Sequence, residues 1–136
     1  PVNVIVDVVG YLGSGGALFT ALDPARILDT RSANGVPGTT KAAPDSTTTV
    51  AVAGRGGVPA EATSVVVTLT TTGVQKDGYV TAWSGSGTRP GVSDVNTWVG
   101  HDVANLAVVR LAAGAFSLYS SGGPLHLVAD VVGYYR

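Results

Sequence analysis

Apolar and polar residues alternate along this chain in short runs, and no stretch carries the i, i+3, i+4, i+7 apolar stripe of an amphipathic helix. The runs are rich in Val and Thr, whose branched Cβ suits a pleated, half-buried surface, and they are bounded by Gly, Pro, Asp and Ser. The pattern predicts strands over residues 2–11, 17–22, 23–31, 46–53, 63–72, 79–84, 92–99, 103–112, 116–120 and 125–135. Residues 63–72 (TSVVVTLTTT) make the best central strand, because β-branched residues dominate both faces. Residues 32–45, with Asn34-Gly35, Pro37 and Pro44, read as a long surface loop. The turns at 112–114 and 121–123 are short enough to make the last strands antiparallel neighbours. The expected fold is all-β: an antiparallel β-sandwich, Ig-like or jelly-roll-like, of roughly eight to ten strands with almost no helix.

The last strand has a near copy at the start of the chain. Residues 1–12 (PVNVIVDVVGYL) align with residues 124–135 (PLHLVADVVGYY), so that Pro1 falls on Pro124, Asp7 on Asp130, Gly10 on Gly133 and Tyr11 on Tyr134. Self-similarity at a fixed offset is the mark of a repeat architecture. The expectation is one period of a tandem array plus an overlap, excised or processed from something longer. In that division residues 1–12 are a strand duplicated from the end of a preceding module, residues 13–16 (GSGG) are a flexible linker, and residues 17–136 are the sandwich module. Residues 125–135 already close the module. The N-terminal copy is therefore expected to be either a remnant or a donor strand that enters a neighbouring copy, with Val4, Val6, Asp7, Val8 and Tyr11 making the joint. Head-to-tail capture of this kind does not close on itself and builds filaments.

Period-two reading of the terminal strand puts Leu125, Leu127, Ala129 and Val131 on one face and His126, Val128, Asp130, Val132 and Tyr134 on the other. An Asp among valines needs a partner, since an unpaired buried charge costs several kcal/mol. Arg26 and Arg31, which flank Asp29 in the PARILDTR run (residues 24–31), are the natural partners, because a guanidinium grips a carboxylate through two parallel hydrogen bonds. Arg26, Asp29, Arg31 and Asp130 are expected to form an internal ion-pair lock between first and last strands, rather than a site for an anionic or sugar ligand. With Asp130 buried, its removal would cost about 3–5 kcal/mol.

Composition removes several functions. A net charge of −1 with no Lys/Arg cluster lacks the basic stripe that meets phosphates, so no nucleic acid is expected. Asp7 and Asp130 interrupt the strongest apolar runs short of the roughly 18 residues of a membrane span. With no Cys there is no disulfide, thiolate nucleophile or Cys-based zinc site. The absence of Cys and Met together suits an extracellular or cell-surface location, where both oxidise. His101 adjoins Asp102, but neighbours on a strand point to opposite faces, and no serine lies in a G-x-S-x-G elbow. Glu61 is the sole glutamate, which leaves a paired-carboxylate glycosidase only scattered aspartates. Asp77, Asp94 and Asn96 offer oxygen ligands of the kind calcium takes, but they are too sparse for a calcium loop and Asx turns at strand ends account for them better, so neither metal nor cofactor is expected. Trp83, Trp98, Tyr134 and Tyr135 are the candidate rings for stacking on a polysaccharide, although Tyr79 and Trp83 sit i, i+4 on one strand face, as core or sheet-covering residues do.

PARILDTR, Gly57-Val58-Pro59, the strand over residues 64–69, Gly78-Tyr79, Arg89-Pro90, Ser93 with Asn96, Ala104-Asn105-Leu106 and VADVVGYY follow one another in a telling order. In that order the chain resembles, from about Phe19 to Tyr135, a β module that recurs in secreted and surface proteins of actinobacteria, often in tandem or beside hydrolase domains. The resemblance implies an extracellular, non-catalytic module and brings no ligand or catalytic residues with it. Two functions are expected on these grounds. The first is a structural or adhesive repeat whose partners are copies of itself; the alternative is a carbohydrate-binding module attached to a secreted enzyme.

Overall fold

The protein is described over residues 1–136 by a computed structural model. It contains eight strands and no helix: β1 (Phe19–Asp29), β2 (Ser46–Ala51), β3 (Ser64–Thr72), β4 (Gly78–Trp83), β5 (Val95–Thr97), β6 (Val103–Arg110), β7 (Ala115–Ser120) and β8 (His126–Tyr135). They form two four-stranded antiparallel sheets, ordered β1-β8-β3-β6 and β2-β7-β4-β5. The pairs β1·β8, β2·β7, β3·β6 and β4·β5 are those of one long hairpin whose tip is the β4–β5 connection. Rolling that hairpin up brings β8 beside β3 and β7 beside β4. This is the jelly-roll arrangement rather than the Ig one.

The core lies between the sheets and is built from the inward positions of both. Val65, Val67 and Leu69 of β3, Leu127, Ala129 and Val131 of β8, and Phe116 and Leu118 of β7 are all buried in one cluster with Ile27, Leu28, Val50, Val52 and Val80. The alternation in β3 (buried at 65, 67 and 69) is what its β-branched run dictates once one face meets the other sheet.

Three sequence expectations are corrected. The strand expected over 92–99 is only Val95–Thr97, because residues 84–94 leave the sheet and lie across its outer face. Residues 2–11 form no strand at all, and every residue from 1 to 18 is exposed. A run with strand propensity still needs a ladder partner for its N–H and C=O groups, and none lies beside it here. Tyr134 does not share a face with Asp130. Val67 pairs with Val131 while Val66 pairs with Gly133, so Val132 is an extra residue in β8. The bulge reverses the alternation and turns the Tyr134 ring into the core.

Candidate functional site

The most organised polar constellation joins β1 to β8 on the outer face of the first sheet. Arg26 and Asp130 are directly opposed in the ladder, and Arg26 donates from Nε to Oδ1 at 2.9 Å and from Nη2 to Oδ2 at 3.1 Å. Asp29 is the hub: its Oδ2 accepts from Arg26 Nη1 (3.2 Å) and Arg31 Nη2 (2.8 Å), and its Oδ1 from the Arg31 backbone N–H and Nε, both at 2.9 Å. Residues three apart on a regular strand would face opposite ways. A second irregularity brings Arg26 and Asp29 together: Arg26 pairs with Asp130 but Leu28 with Ala129, so Ile27 is the extra residue in β1. The same irregularity allows Ile27 and Leu28, neighbours in sequence, both to be fully buried.

The clasp continues at the start of β8. The Thr30 N–H donates to the Leu127 carbonyl at 3.1 Å, the Leu127 N–H donates to Thr30 Oγ1 at 3.1 Å, and that hydroxyl also lies 2.9 Å from His126 Nδ1. Asn34 Nδ2 donates to the Arg26 carbonyl, and Arg55 Nη2 donates to Asn34 Oδ1, which ties the long loop to the same edge. The PARILDTR run thus grips β8 at two successive places.

Electrostatics follow from these partners. Hydrogen bonding from the Arg31 side chain, reinforced by its backbone N–H and by the charges of Arg31 and Arg26, holds the Asp29 carboxyl well below the usual carboxylate range against the opposing effect of burial. Asp130 raises Arg26 in turn. Burial pushes the His126 imidazole down, and the nearby Lys41 and Arg31 charges act in the same sense. The sequence reading named the four members of the lock but placed the burial on the wrong carboxylate. The Asp29 side chain is 6% exposed, while that of Asp130 is 24% and that of Arg26 46% exposed.

The N-terminal segment carries a second set of expected contacts. Val4, Val6, Asp7, Val8 and Tyr11 all stand in solvent, Tyr11 at 94% exposure, and no backbone hydrogen bond joins residues 1–12 to the sandwich. The segment leaves β1 through a turn closed by Gly16 N–H to Gly13 O at 3.1 Å. An open cleft of about 550 Å³ separates Val9, Tyr11 and Leu12 from Ser64, Val108 and Tyr135 on the outer face of the first sheet.

The four rings considered for sugar stacking lie on different surfaces. Tyr134 is in the core and Tyr135 packs against Phe19 on the outer face of the first sheet, with ring centroids 5.2 Å apart. Trp83 and Tyr79 are on the outer face of the second sheet, where residues 84–94 cover them: Thr81 Oγ1 donates to the Val92 carbonyl, Asp94 Oδ2 accepts the Ala82 N–H, and Arg89 sits 3.7 Å above the Tyr119 ring. Trp98, 49% exposed, follows β5. They make no single platform. The sequence reading missed the Arg89–Tyr119–Asp45 cluster, in which Tyr119 donates to Asp45 Oδ1 at 2.7 Å; register alone could not reveal that two loops meet on this outward ring of β7.

His101 and Asp102 are exposed and hold no side-chain hydrogen bond. Asp77 Oδ1 accepts the Val99 N–H, and Asn96 Oδ1 accepts from Ser93 Oγ, so these oxygens terminate turns. No group of three or more His, Asp or Glu side chains is placed to hold a metal ion, and no helix is long and apolar enough to cross a membrane. Scans of the chain against protein-family models, curated proteins and solved structures returned no match.

Proposed function

We propose that this chain is a non-catalytic structural or adhesive repeat of an extracellular or cell-surface assembly, and that its partners are copies of itself met head to tail. The observation that supports the reading is the segment 1–12. It repeats the sequence of β8, the strand that closes the sandwich, yet it stands unpaired with Val4, Val6, Val8 and Tyr11 in solvent. A stretch of this composition pairs readily with a sheet edge, and β1, β6, β2 and β5 are all edges here. Sedimentation velocity over a wide concentration range tests it. Concentration-dependent growth that disappears in a V6D/V8D variant is expected, and an intact chain that stays monomeric throughout ends this reading. Trp98 is the one ring of the four left half open on a loop, so a polysaccharide pull-down with Trp98→Ala is the matching test of the carbohydrate-binding alternative. Saturable binding lost in that variant would replace the structural role with it.

A further inference from the structure

β8 lies in the groove between β1 and β3, and its contacts show what that groove accepts. Inward positions accept Leu125, Leu127, Ala129 and Val131, all buried. Arg26 takes the Asp130 carboxylate through two hydrogen bonds. Val132 must be the bulge, and the next residue must lack a Cβ, because an added carbon at Gly133 would collide with the Phe19 ring and the Thr20 carbonyl. The residue after that must be large and apolar, since Tyr134 fills the core there. Asp130, Val131, Gly133 and Tyr134 thus each answer a separate geometric demand of the groove, with Val132 as the bulge between them.

Residues 7–11 are Asp-Val-Val-Gly-Tyr, and residues 2, 4 and 6 are valines at the inward positions that precede them. We propose that residues 2–12 are a second ligand for the β1–β3 groove of their own chain, interchangeable with β8. The connection permits it. Leu12 in the place of Tyr135 would lie opposite Phe19, the first residue of β1, and residues 13–18 would close an ordinary antiparallel hairpin between the two strands. Glycines at 13, 15 and 16 supply the turn. In the arrangement seen, β8 holds the groove, and its residues fit better. Val6 would crowd the site of Ala129, which has no exposed surface, Val2 and Val4 would underfill those of Leu125 and Leu127, and Leu12 would lose the aromatic contact that Tyr135 makes with Phe19. One groove and two matching strands leave one strand over, which is the unpaired segment the structure contains. The exchange needs no second copy, so a monomeric chain would end the assembly reading and leave this one standing.

The test disables each strand in the full chain. Val131→Asp puts a charge at a buried position of β8 and leaves residues 2–12 able to take over. The variant is expected to fold as a monomer, with chymotryptic cleavage moving from Tyr11 to Tyr134 and Tyr135. V8D alone should shift the melting midpoint by less than about 2 °C, whereas V8D/V131D should be unfolded at room temperature. The proposal is overturned if V131D is as unfolded as the double variant, if the double variant folds, or if V131D folds only as a concentration-dependent oligomer. A milder pair gives a second reading: Val131→Ala should speed cleavage at Tyr134 several-fold, and adding V8D should slow it again by removing the competing strand. A rate indifferent to V8D overturns the exchange.

Discussion

Arg26 faces Asp130 across the β1/β8 ladder and donates to both of its carboxylate oxygens, yet the residue that this pair depends on is Asp29, buried beneath the Arg26 and Arg31 guanidinium groups. The difference in exposure ranks the two carboxylates. Asp130→Ala breaks a half-exposed pair and should cost about 1 kcal/mol. Asp29→Ala removes the acceptor of four hydrogen bonds, including that of the Arg31 backbone N–H, and should cost about 2–3 kcal/mol. Urea titrations of the two variants check the order. Equal losses would mean that the network has no hub.

Acid should weaken the fold in two stages. The folded chain holds both His126 and Asp29 below their ordinary values of 6.5 and 3.8, so the unfolded chain takes up each proton first. Stability is then present above the ordinary value and lost as pH falls beneath it: a shallow loss starting below 6.5 from His126, and a steeper one below 3.8 from Asp29. Asp94 works in the opposite sense, because burial raises its carboxyl. Unfolding midpoints measured against pH should lose the first stage in His126→Gln and most of the second in Asp29→Asn.

Gly133 and Phe19 should be coupled. A methyl group at 133 falls on the Phe19 ring, so Gly133→Ala should cost about 1–3 kcal/mol. Removing the ring in the same chain takes away the closer obstacle and leaves only the Thr20 carbonyl, so the double variant with Phe19→Ala should be more stable than the sum of the single losses by at least about 0.5 kcal/mol. Thermal unfolding of the four chains closes the cycle. Strict additivity would show that the ring does not rest on Gly133.

Much of this was legible in residue order, and the failures have identifiable causes. Val/Thr runs and Gly/Pro punctuation located the eight strands, because a half-buried sheet selects those residues directly. Arg26, Asp29, Arg31 and Asp130 were recognisable as a set because charge inside apolar strands demands partners. Which carboxylate is buried depends on the extra residue Ile27, and strict alternation cannot show a bulge. The same blindness put Tyr134 outside, although Gly133 beside it was a sign of a bulge or a close backbone approach. Residues 2–11 expose a different limit: they have the composition of a strand, but pairing is decided by which groove is vacant, and β8 occupies the one they match.

The Leu18 N–H donates to the Arg136 carbonyl at 2.8 Å and the Arg136 N–H to the Leu18 carbonyl at 3.2 Å, so the two ends of the sandwich module leave it side by side. This placement fixes how the domain bears tension. A pull on the two ends does not shear the β1/β8 ladder along its length but peels it like a zipper, one rung after another. Leu18–Arg136 opens first, then Phe19–Tyr135 and the Gly133 rung, while the bidentate Arg26–Asp130 pair lies further in and takes the load only after those have gone. Under force the rungs yield one at a time, and the Arg26–Asp130 pair adds its two hydrogen bonds to the rung that comes just before the buried Ile27 and Leu28.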